Sequence, residues 1–262
     1  MGRLPDYGPA AVLLFFAIRP PKRKSIFSNP GTKSTIAKLL KNDFGMAVLC
    51  YNIAEARPKE VIRLMAKLYF KYGAMGSSKS AQALITKFNY EEKNMTVWLI
   101  KPGTDTRDGA DIIKSRIGLS QTAQIIQPDQ DIVEEYHKAG SYDVIISDES
   151  QFLTPAQIDG LRALVDDENI PVLCFGLRTD FQTKFFPGAM RLMELADSIT
   201  EIKTICECGR KATVNARFDD NGRIITEGAQ VVLGGNDRYT AMCHKCWMDR
   251  IKQQRAEDEA DK

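Results

Sequence analysis

At 262 residues, the chain is long enough for one large domain or two smaller ones, and its composition is ordinary for a soluble globular protein. Its formal net charge is only +2, so it has no overall field to attract nucleic acid or an anionic membrane surface. It has no apolar run of about 18 residues, the length that a membrane-spanning helix needs, so we expect neither a membrane nor nucleic acid among its partners.

The first 64 residues do not share the pattern of the rest. They contain a Pro20-Pro21 break and a basic run, Lys22 to Lys24, and lack strong strand signals. The organised region begins directly after Met65. We therefore predict that Met65 is the natural start and that residues 1–64 are an upstream extension with little stable structure. The alternative is a genuine N-terminal accessory segment.

A small-residue loop follows the first strand signal. Apolar Leu68 to Phe70 predicts a buried strand, and Ala81 to Tyr90 has the apolar spacing of a helix. Between them lie Gly73, Ala74, Met75, Gly76, Ser77, Ser78, Lys79 and Ser80. In such a loop backbone N–H groups hold phosphates, the lysine reaches the terminal phosphates, and the final serine binds Mg²⁺. Ser78 stands where this pattern has glycine. A positive φ there costs about 1 kcal/mol of strain.

Strand and helix signals then alternate to about Ile199, which predicts a mostly parallel sheet flanked by helices. The predicted strands are Val97–Ile100, Asp143–Ser147 and Val172–Gly176, and the predicted helices are Ile132–Lys138, Pro155–Asp166 with Thr154 as its cap, and Met190–Leu195. Beyond Ile199, short β-like runs at Lys211–Phe218 and Ala229–Leu233 flank a turn at Asp219–Gly222. We expect the charged last dozen residues to be frayed.

Two acidic residues, Asp148 and Glu149, directly follow the apolar strand that ends at Ser147. An aspartate at this place can hold Mg²⁺, directly or through water, and a neighbouring glutamate can act as general base on a hydroxyl or a water. Acidic residues also end strands for purely structural reasons. The phosphate-type loop upstream favours the functional interpretation, a nucleotide site.

Four of the six cysteines form two close pairs, Cys206 with Cys208 and Cys243 with Cys246. Four thiolates satisfy tetrahedral Zn²⁺, and a closed site of this kind is structural because no coordination position stays open. Close cysteine pairs in a nucleotide-binding chain favour a metal over disulfides. We therefore predict a structural zinc site and a reducing, cytoplasmic location.

Taken together, these motifs resemble thymidine kinases of the tetrameric, zinc-containing type (type II). The resemblance runs from about Ala66 to Trp247, and six motifs occur in family order. They are the loop 73–80, Lys101-Pro102-x-x-Asp105-x-Arg107, Asp148 to Phe152, Gly176 to Phe181, Thr204 to Ala212, and Gly234 to Tyr239 leading into Cys243 to Cys246.

The resemblance implies a P-loop, RecA-like α/β kinase domain over 65–201 and a zinc-ribbon and lasso domain over 202–250, which the charged tail over 251–262 follows. It implies transfer of the ATP γ-phosphate to the 5′-hydroxyl of thymidine in a homotetramer. Glu149 is the expected base, and Arg107 steadies the transferring group. ATP and Mg²⁺ are expected on residues 73–80, Asp148, Glu149, Ser150 and Gln151. The expected thymidine site comprises Met75, Phe152, Leu177, Phe181, Val232, Leu233, Gly234, Gly235 and Tyr239.

Two other functions compete with this interpretation. One is a zinc-bearing ATPase that acts on nucleic acid, since Asp148 to Gln151 superficially resembles a helicase box. The region is too short for two motor lobes, and the sequence has no basic stripe. The other is a catalytically silent nucleotide-binding regulator, in which Ser78 is the lesion. It predicts ATP binding without transfer.

Overall fold

The structure is a computed structural model that describes residues 65–105, 111–230 and 239–260. The predictions for residues 1–64, for Arg107 and for Val232 to Gly235 fall outside these ranges. The described residues form ten strands: β1 Leu68–Tyr72, β2 Val97–Pro102, β3 Ile112–Lys114, β4 Ser120–Thr122, β5 Gln124–Ile126, β6 Val144–Ser147, β7 Val172–Gly176, β8 Ser198–Glu201, β9 Val214–Arg217 and β10 Tyr239–Met242. Their five α-helices are α1 Lys79–Glu91, α2 Ile132–Ala139, α3 Pro155–Glu168, α4 Pro187–Leu195 and α5 His244–Ala260, and Ser150–Phe152 forms a 3₁₀ helix.

Six strands form one sheet in the order β5-β2-β6-β7-β1-β8, and every pairing within it is parallel. Of the four central strands, β2, β6 and β7 are almost fully buried, as expected for a sheet that helices cover on both faces, and β1 is fully buried at Leu68 and Phe70. The prediction of a mostly parallel α/β sheet is confirmed. Because all strands point the same way, the segments that follow β1, β2, β6 and β7 meet at one edge of the sheet.

Alternating side chains of each strand enter two hydrophobic clusters. Phe70, Ile145 and Cys174 belong to the cluster that includes α2, α3 and α4, and Ile146 and Phe175 belong to the cluster that includes α1. Burial raises the pKa of the Cys174 thiol to about 12, which agrees with a core cysteine. Thr154 caps α3, with a reciprocal hydrogen bond between its backbone and Gln157, as its sequence predicts.

The C-terminal part has a core of its own. Strands β9 and β10 pair antiparallel, and with α5 they enclose a third cluster that includes Val214, Trp247 and Ile251. The predicted turn lies between Phe218 and Ile224, which form a β-bridge, and Gly222 supplies its positive φ of 74°. We call Cys206–Gln230 together with Tyr239–Ala260 the cysteine module.

The prediction of a frayed C-terminus is wrong for the described residues, because α5 continues to Ala260. Its inner face buries Trp247 and Ile251. The Gln254 side chain accepts a hydrogen bond from Ile224 N at 2.9 Å, and Arg223 pairs with Asp258 at 2.6 Å. These tertiary contacts order a sequence whose composition alone favours disorder. None of the helices in the described residues has the length and apolar character needed to cross a membrane.

Candidate active site

The strand order brings the two predicted halves of the nucleotide site together. Strand β7 lies between β1, which leads into the phosphate-type loop, and β6, which leads into Asp148 and Glu149. Both segments line one open cleft at the carboxyl edge of the sheet. The β3–β4 hairpin and Leu177, just after β7, complete its walls.

Lys79 is buried at the start of α1, directly beneath the loop. Its Nζ donates to the carbonyl oxygens of Gly73 at 3.1 Å and Ala74 at 3.0 Å, and lies 3.4 Å from Ser77 Oγ. The Lys79 ammonium is therefore held beside the N-terminus of α1. The positive charge and the helix N-terminus each favour the binding of an anion.

Ser78 adopts the left-handed conformation that its place in the loop pattern suggested, with φ 62° and ψ 29°. Its carbonyl accepts the first helical hydrogen bond, from Gln82 N at 3.0 Å. The serine thus occupies a backbone position that glycine adopts without strain. The strain is local, since the loop and helix around it keep the predicted arrangement.

We expect Ser78→Gly to raise the free energy of unfolding by up to about 1 kcal/mol, because glycine removes the left-handed strain but adds chain entropy. Denaturant titration measures the change. Ser78→Ala is the matched control: it keeps the Cβ and the strain and loses only the hydroxyl, so we expect no gain. A glycine variant no more stable than the alanine variant would contradict the strain.

Asp148 is 3% exposed, and its Oδ1 atom has no hydrogen-bond partner. Burial and the charge of Glu149 raise the pKa of Asp148 to about 7, although hydrogen bonds from the Ser80 hydroxyl and a backbone N–H, and the charge of Lys79, lower it. An unpaired buried carboxylate oxygen beside a serine hydroxyl is a fitting pair of oxygen ligands for Mg²⁺.

This raised pKa predicts a pH dependence for protein free of metal and nucleotide. The native state binds the Asp148 proton more tightly than the unfolded chain does. Protonation of Asp148 therefore stabilises the fold fully below about pH 4, and this stabilisation is lost as the pH rises through about 7. Relative to Asp148→Asn, which cannot titrate, wild type should lose at most about 4 kcal/mol of unfolding free energy over this range.

Denaturant titrations at a series of pH values, with chelator present, measure that difference. Asp129→Asn removes an exposed carboxylate and serves as the control. A constant difference between wild type and Asp148→Asn would show that Asp148 is not held in its protonated form.

Glu149 is half-buried at the cleft and also has a positive φ, 49°. Its Oε2 accepts a hydrogen bond from Gln151 Nε2 at 2.6 Å, and Gln151 Oε1 accepts one from Leu177 N at 2.8 Å. Gln151 is 1% exposed and lies against Gly176, where an added Cβ would come within 2.6 Å of its Oε1. Backbone strain of this kind, kept at a cleft, is typical of functional positions.

The structure adds residues that received no role from the sequence. Lys101, 1% exposed, pairs with Asp105 at 3.2 Å and donates to the Ile112 carbonyl at 3.0 Å, so it connects the end of β2 to the β3–β4 hairpin. Arg116, in that hairpin, has Nη1 only 3.6 Å from the place where a Cβ on Gly76 would stand. A short exposed hairpin gives little apolar signal, so its position over the loop could not be predicted.

The predicted thymidine-site residues separate into two groups. Met75 and Leu177 line the cleft. Phe181 is 1% exposed beneath the Arg217 guanidinium, Phe152 packs edge-to-face on Phe186, and Tyr239 pairs with Arg217 across β9 and β10. Neither Phe152 nor Phe181 nor Tyr239 is among the described residues that line the cleft, so their place in the thymidine site stays a prediction. Ser150 is buried, with its hydroxyl 2.9 Å from that of Ser147.

The four paired cysteines come together as predicted. The sulfur atoms of Cys206, Cys208, Cys243 and Cys246 all lie within 4.8 Å of one another. Cys208 and Cys243 are 3.6 Å apart, close to the distance of about 3.8 Å between thiolates that share a tetrahedral Zn²⁺. The backbone N–H of Cys246 lowers the pKa of the Cys243 thiol to about 7, which favours the metal-binding thiolate. The cluster is therefore compatible with zinc.

Comparison with known proteins agrees with this arrangement. A family model described as thymidine kinase matches residues 66–247. A thymidine kinase of Ruegeria pomeroyi is 46% identical over 188 residues, covering 71% of this chain and 95% of its own length. A thymidine kinase of Zymomonas mobilis is 44% identical over 190 residues, covering 71% of this chain and 98% of its own.

A solved structure, Pif1 helicase from Candida albicans, is similar at a TM-score of 0.33 and 13% identity, covering 53% of this chain and 36% of that one. This likeness is too weak to bear on function. The family match, in contrast, spans the loop, the acidic pair and all four clustered cysteines. The chain belongs to the thymidine kinase family.

Proposed function

We propose that this chain transfers the γ-phosphoryl group of ATP to the 5′-hydroxyl of thymidine and releases ADP and thymidine 5′-monophosphate for DNA synthesis. The observation that carries the proposal is the meeting of Lys79, Asp148 and Glu149 around one cleft at the carboxyl edge of the sheet. Phosphoryl transfer needs mostly positioning and charge stabilisation, and these are the groups that supply them.

Glu149 is the proposed base. Its carboxylate takes the proton of the thymidine 5′-hydroxyl while the bond from that oxygen to the γ-phosphorus forms and the bond from phosphorus to the ADP oxygen breaks. The hydrogen bond from Gln151 fixes the carboxylate against the end of β7. Glu149 itself lines the cleft, which is where the acceptor hydroxyl is proposed to bind.

Lys79 and the amides of residues 73–80 are the proposed phosphate ligands. Ser80 and the unpaired Oδ1 of Asp148 would hold Mg²⁺, which neutralises charge on the transferring phosphates when bound. The neighbouring Ser150 and Gln151 are proposed as the remaining residues of the ATP site. Arg107 is proposed to steady the transferring group.

The proposed thymidine site rests on the family resemblance and on the shape of the cleft. Met75 and Leu177 line the cleft. Phe152, Phe181 and Tyr239 are proposed to complete the walls, and the main chain of residues 232–235 to bind the base. A pocket of this kind favours a pyrimidine with a small 5-substituent.

We further propose a structural Zn²⁺ on the four clustered cysteines, a homotetrameric assembly and a cytoplasmic location. The sulfur geometry supports the zinc. The five cysteines within the described residues are free thiols, which agrees with a reducing compartment. The tetramer is supported by the family resemblance, and sedimentation analysis of the full chain tests it.

The experiment for the proposed function is transfer of labelled phosphate from Mg·ATP to a panel of deoxynucleosides. Preferential labelling of thymidine is the expected result. ATP binding without transfer to any nucleoside, by folded zinc-replete protein, would overturn the proposal in favour of a silent regulator. ATP hydrolysis that needs DNA rather than a nucleoside would instead favour an ATPase that acts on nucleic acid.

A further inference from the structure

One buried side chain of the cysteine module reaches into the phosphate loop. Asn215 lies on β9 and is 3% exposed. Its Oδ1 accepts a hydrogen bond from Met75 N at 2.8 Å, across 140 residues of sequence, and its Nδ2 donates to the Thr179 carbonyl at 2.8 Å. A backbone N–H only donates and a carbonyl only accepts, so these two partners fix the orientation of the amide.

The contact at Met75 adds to the hydrogen bonds that shape this loop, which include those from Lys79 Nζ to the Gly73 and Ala74 carbonyl oxygens. Gly73 N donates to the Gly176 carbonyl at 3.2 Å, and Ser77 N donates to the Ala74 carbonyl at 3.2 Å. Both of these anchors lie within the α/β part. The anchor at Met75, between them, comes from the cysteine module.

The other end of this connection leads to the cysteine cluster. Asn215 pairs with Ala241 across β9 and β10, and Thr213 N donates to the Met242 carbonyl at 2.9 Å. Residue 242 is followed directly by Cys243. Asn215 is therefore paired with a residue that lies two positions before Cys243 of the cluster.

A second set of contacts keeps the module against the loop after β7. Gln182 donates to the Thr226 carbonyl at 3.1 Å, and Gln230 donates to Asp180 at 2.9 Å. The Thr179 end of the Asn215 bridge belongs to this same loop. Asn215 thus ties three segments at one buried point: the phosphate loop, the loop after β7 and the cysteine module.

We infer that Asn215 is a positioning residue through which the cysteine module sets the shape of the ATP phosphate loop. The inference rests on the proposed function in that the loop's ligand is taken to be ATP. It gives the module a part in nucleotide binding in addition to the wall that its Tyr239 is proposed to supply to the thymidine site.

Asn215→Leu tests the inference, because leucine is similar in size and makes neither hydrogen bond. We expect amide hydrogen exchange at residues 73–77 to become about tenfold faster, since a buried N–H loses its acceptor. We expect Kd for a non-hydrolysable ATP analogue and KM for ATP to rise by about 5- to 50-fold, with zinc content unchanged. Asn221→Leu, at an exposed site in the same hairpin, is the control.

Asn215→Asp is the conservative rescue. In either protonation state an aspartate accepts from Met75 N, so exchange at residues 73–77 should stay near the wild-type rate. Equal exchange and equal analogue binding in Asn215→Leu and wild type would overturn the inference. So would faster exchange in Asn215→Asp equal to that in Asn215→Leu, because the bond to Met75 would then not be the cause.

Wild-type protein gives a second measurement if Asn215→Leu fails to fold. Removal of zinc by a chelator should speed exchange at residues 73–77 and leave β6, residues 144–147, protected. Unchanged exchange at 73–77, or equal loss of protection in both segments, would overturn the local connection. Neither readout requires transfer to thymidine, so failure of the proposed reaction would be seen separately in the phosphate-transfer assay.

Discussion

The Glu149→Gln variant should retain the fold and the nucleotide site while its kcat for thymidine phosphorylation falls by about 100- to 10,000-fold, the usual contribution of a general base. Glutamine has the same shape, and its carbonyl oxygen can still accept from Gln151 Nε2, as Glu149 Oε2 does at 2.6 Å. What it loses is the ability to accept the proton of the acceptor hydroxyl. Steady-state kinetics with labelled Mg·ATP measure the change.

The control for this variant is Glu134→Gln, which makes the same substitution at an exposed position on α2. We expect no change in kcat there. An analogue-binding assay separates loss of chemistry from loss of binding, since the Glu149→Gln variant should bind the ATP analogue within a few-fold of wild type. A kcat within fivefold of wild type would remove Glu149 from the role of base.

Loss of one clustered cysteine should have the largest effect on stability. Cys243→Ser leaves three thiolates, and structural zinc sites contribute about 10 kcal/mol or more to the folding of small modules. We expect the bound zinc to fall from one ion per chain to a small fraction of that. The cysteine module should unfold at a lower temperature than the sheet, whose two hydrophobic clusters contain none of the four cysteines.

Metal analysis measures the zinc, and fluorescence of Trp247, buried in the module, reports its unfolding when Trp98 of the sheet is replaced by phenylalanine. Cys174→Ala is the matched control, because it removes a buried cysteine outside the cluster and should cost only about 1–2 kcal/mol with zinc retained. Full zinc content in Cys243→Ser would show that the four sulfurs do not form the metal site.

The parts of the fold that could be predicted are those where local signals suffice. Val172 to Gly176 and Val144 to Ser147 are largely apolar runs, and Thr154 followed by Pro155 marks a helix start without reference to anything distant. Strands β3 and β4 have three residues each, and β4 is fully exposed, so no apolar period distinguishes them. Helix α5 was missed because its order depends on packing against a hairpin some 30 residues earlier.

The candidate site shows the same division. Lys79 and Ser80 are identified by the small-residue loop that precedes them, and Asp148 and Glu149 by their place directly after a strand. The parallel sheet then brings them together. Asn215 is joined to Met75 across 140 residues, and no local pattern distinguishes this asparagine from one at the surface. Such residues are recognised only after the tertiary structure places them.

Gly176 and Gln151 have a consequence for how this sequence can change over time. Any side chain at 176 would collide with the Gln151 amide, which lies 2.6 Å from where its Cβ would stand. A shorter residue at 151 would remove the side-chain contact but leave Gln151 N 3.1 Å from that Cβ. It would also remove the partners of Glu149 and of Leu177 N. Selection should therefore keep both residues, because no change at one position restores what a change at the other removes.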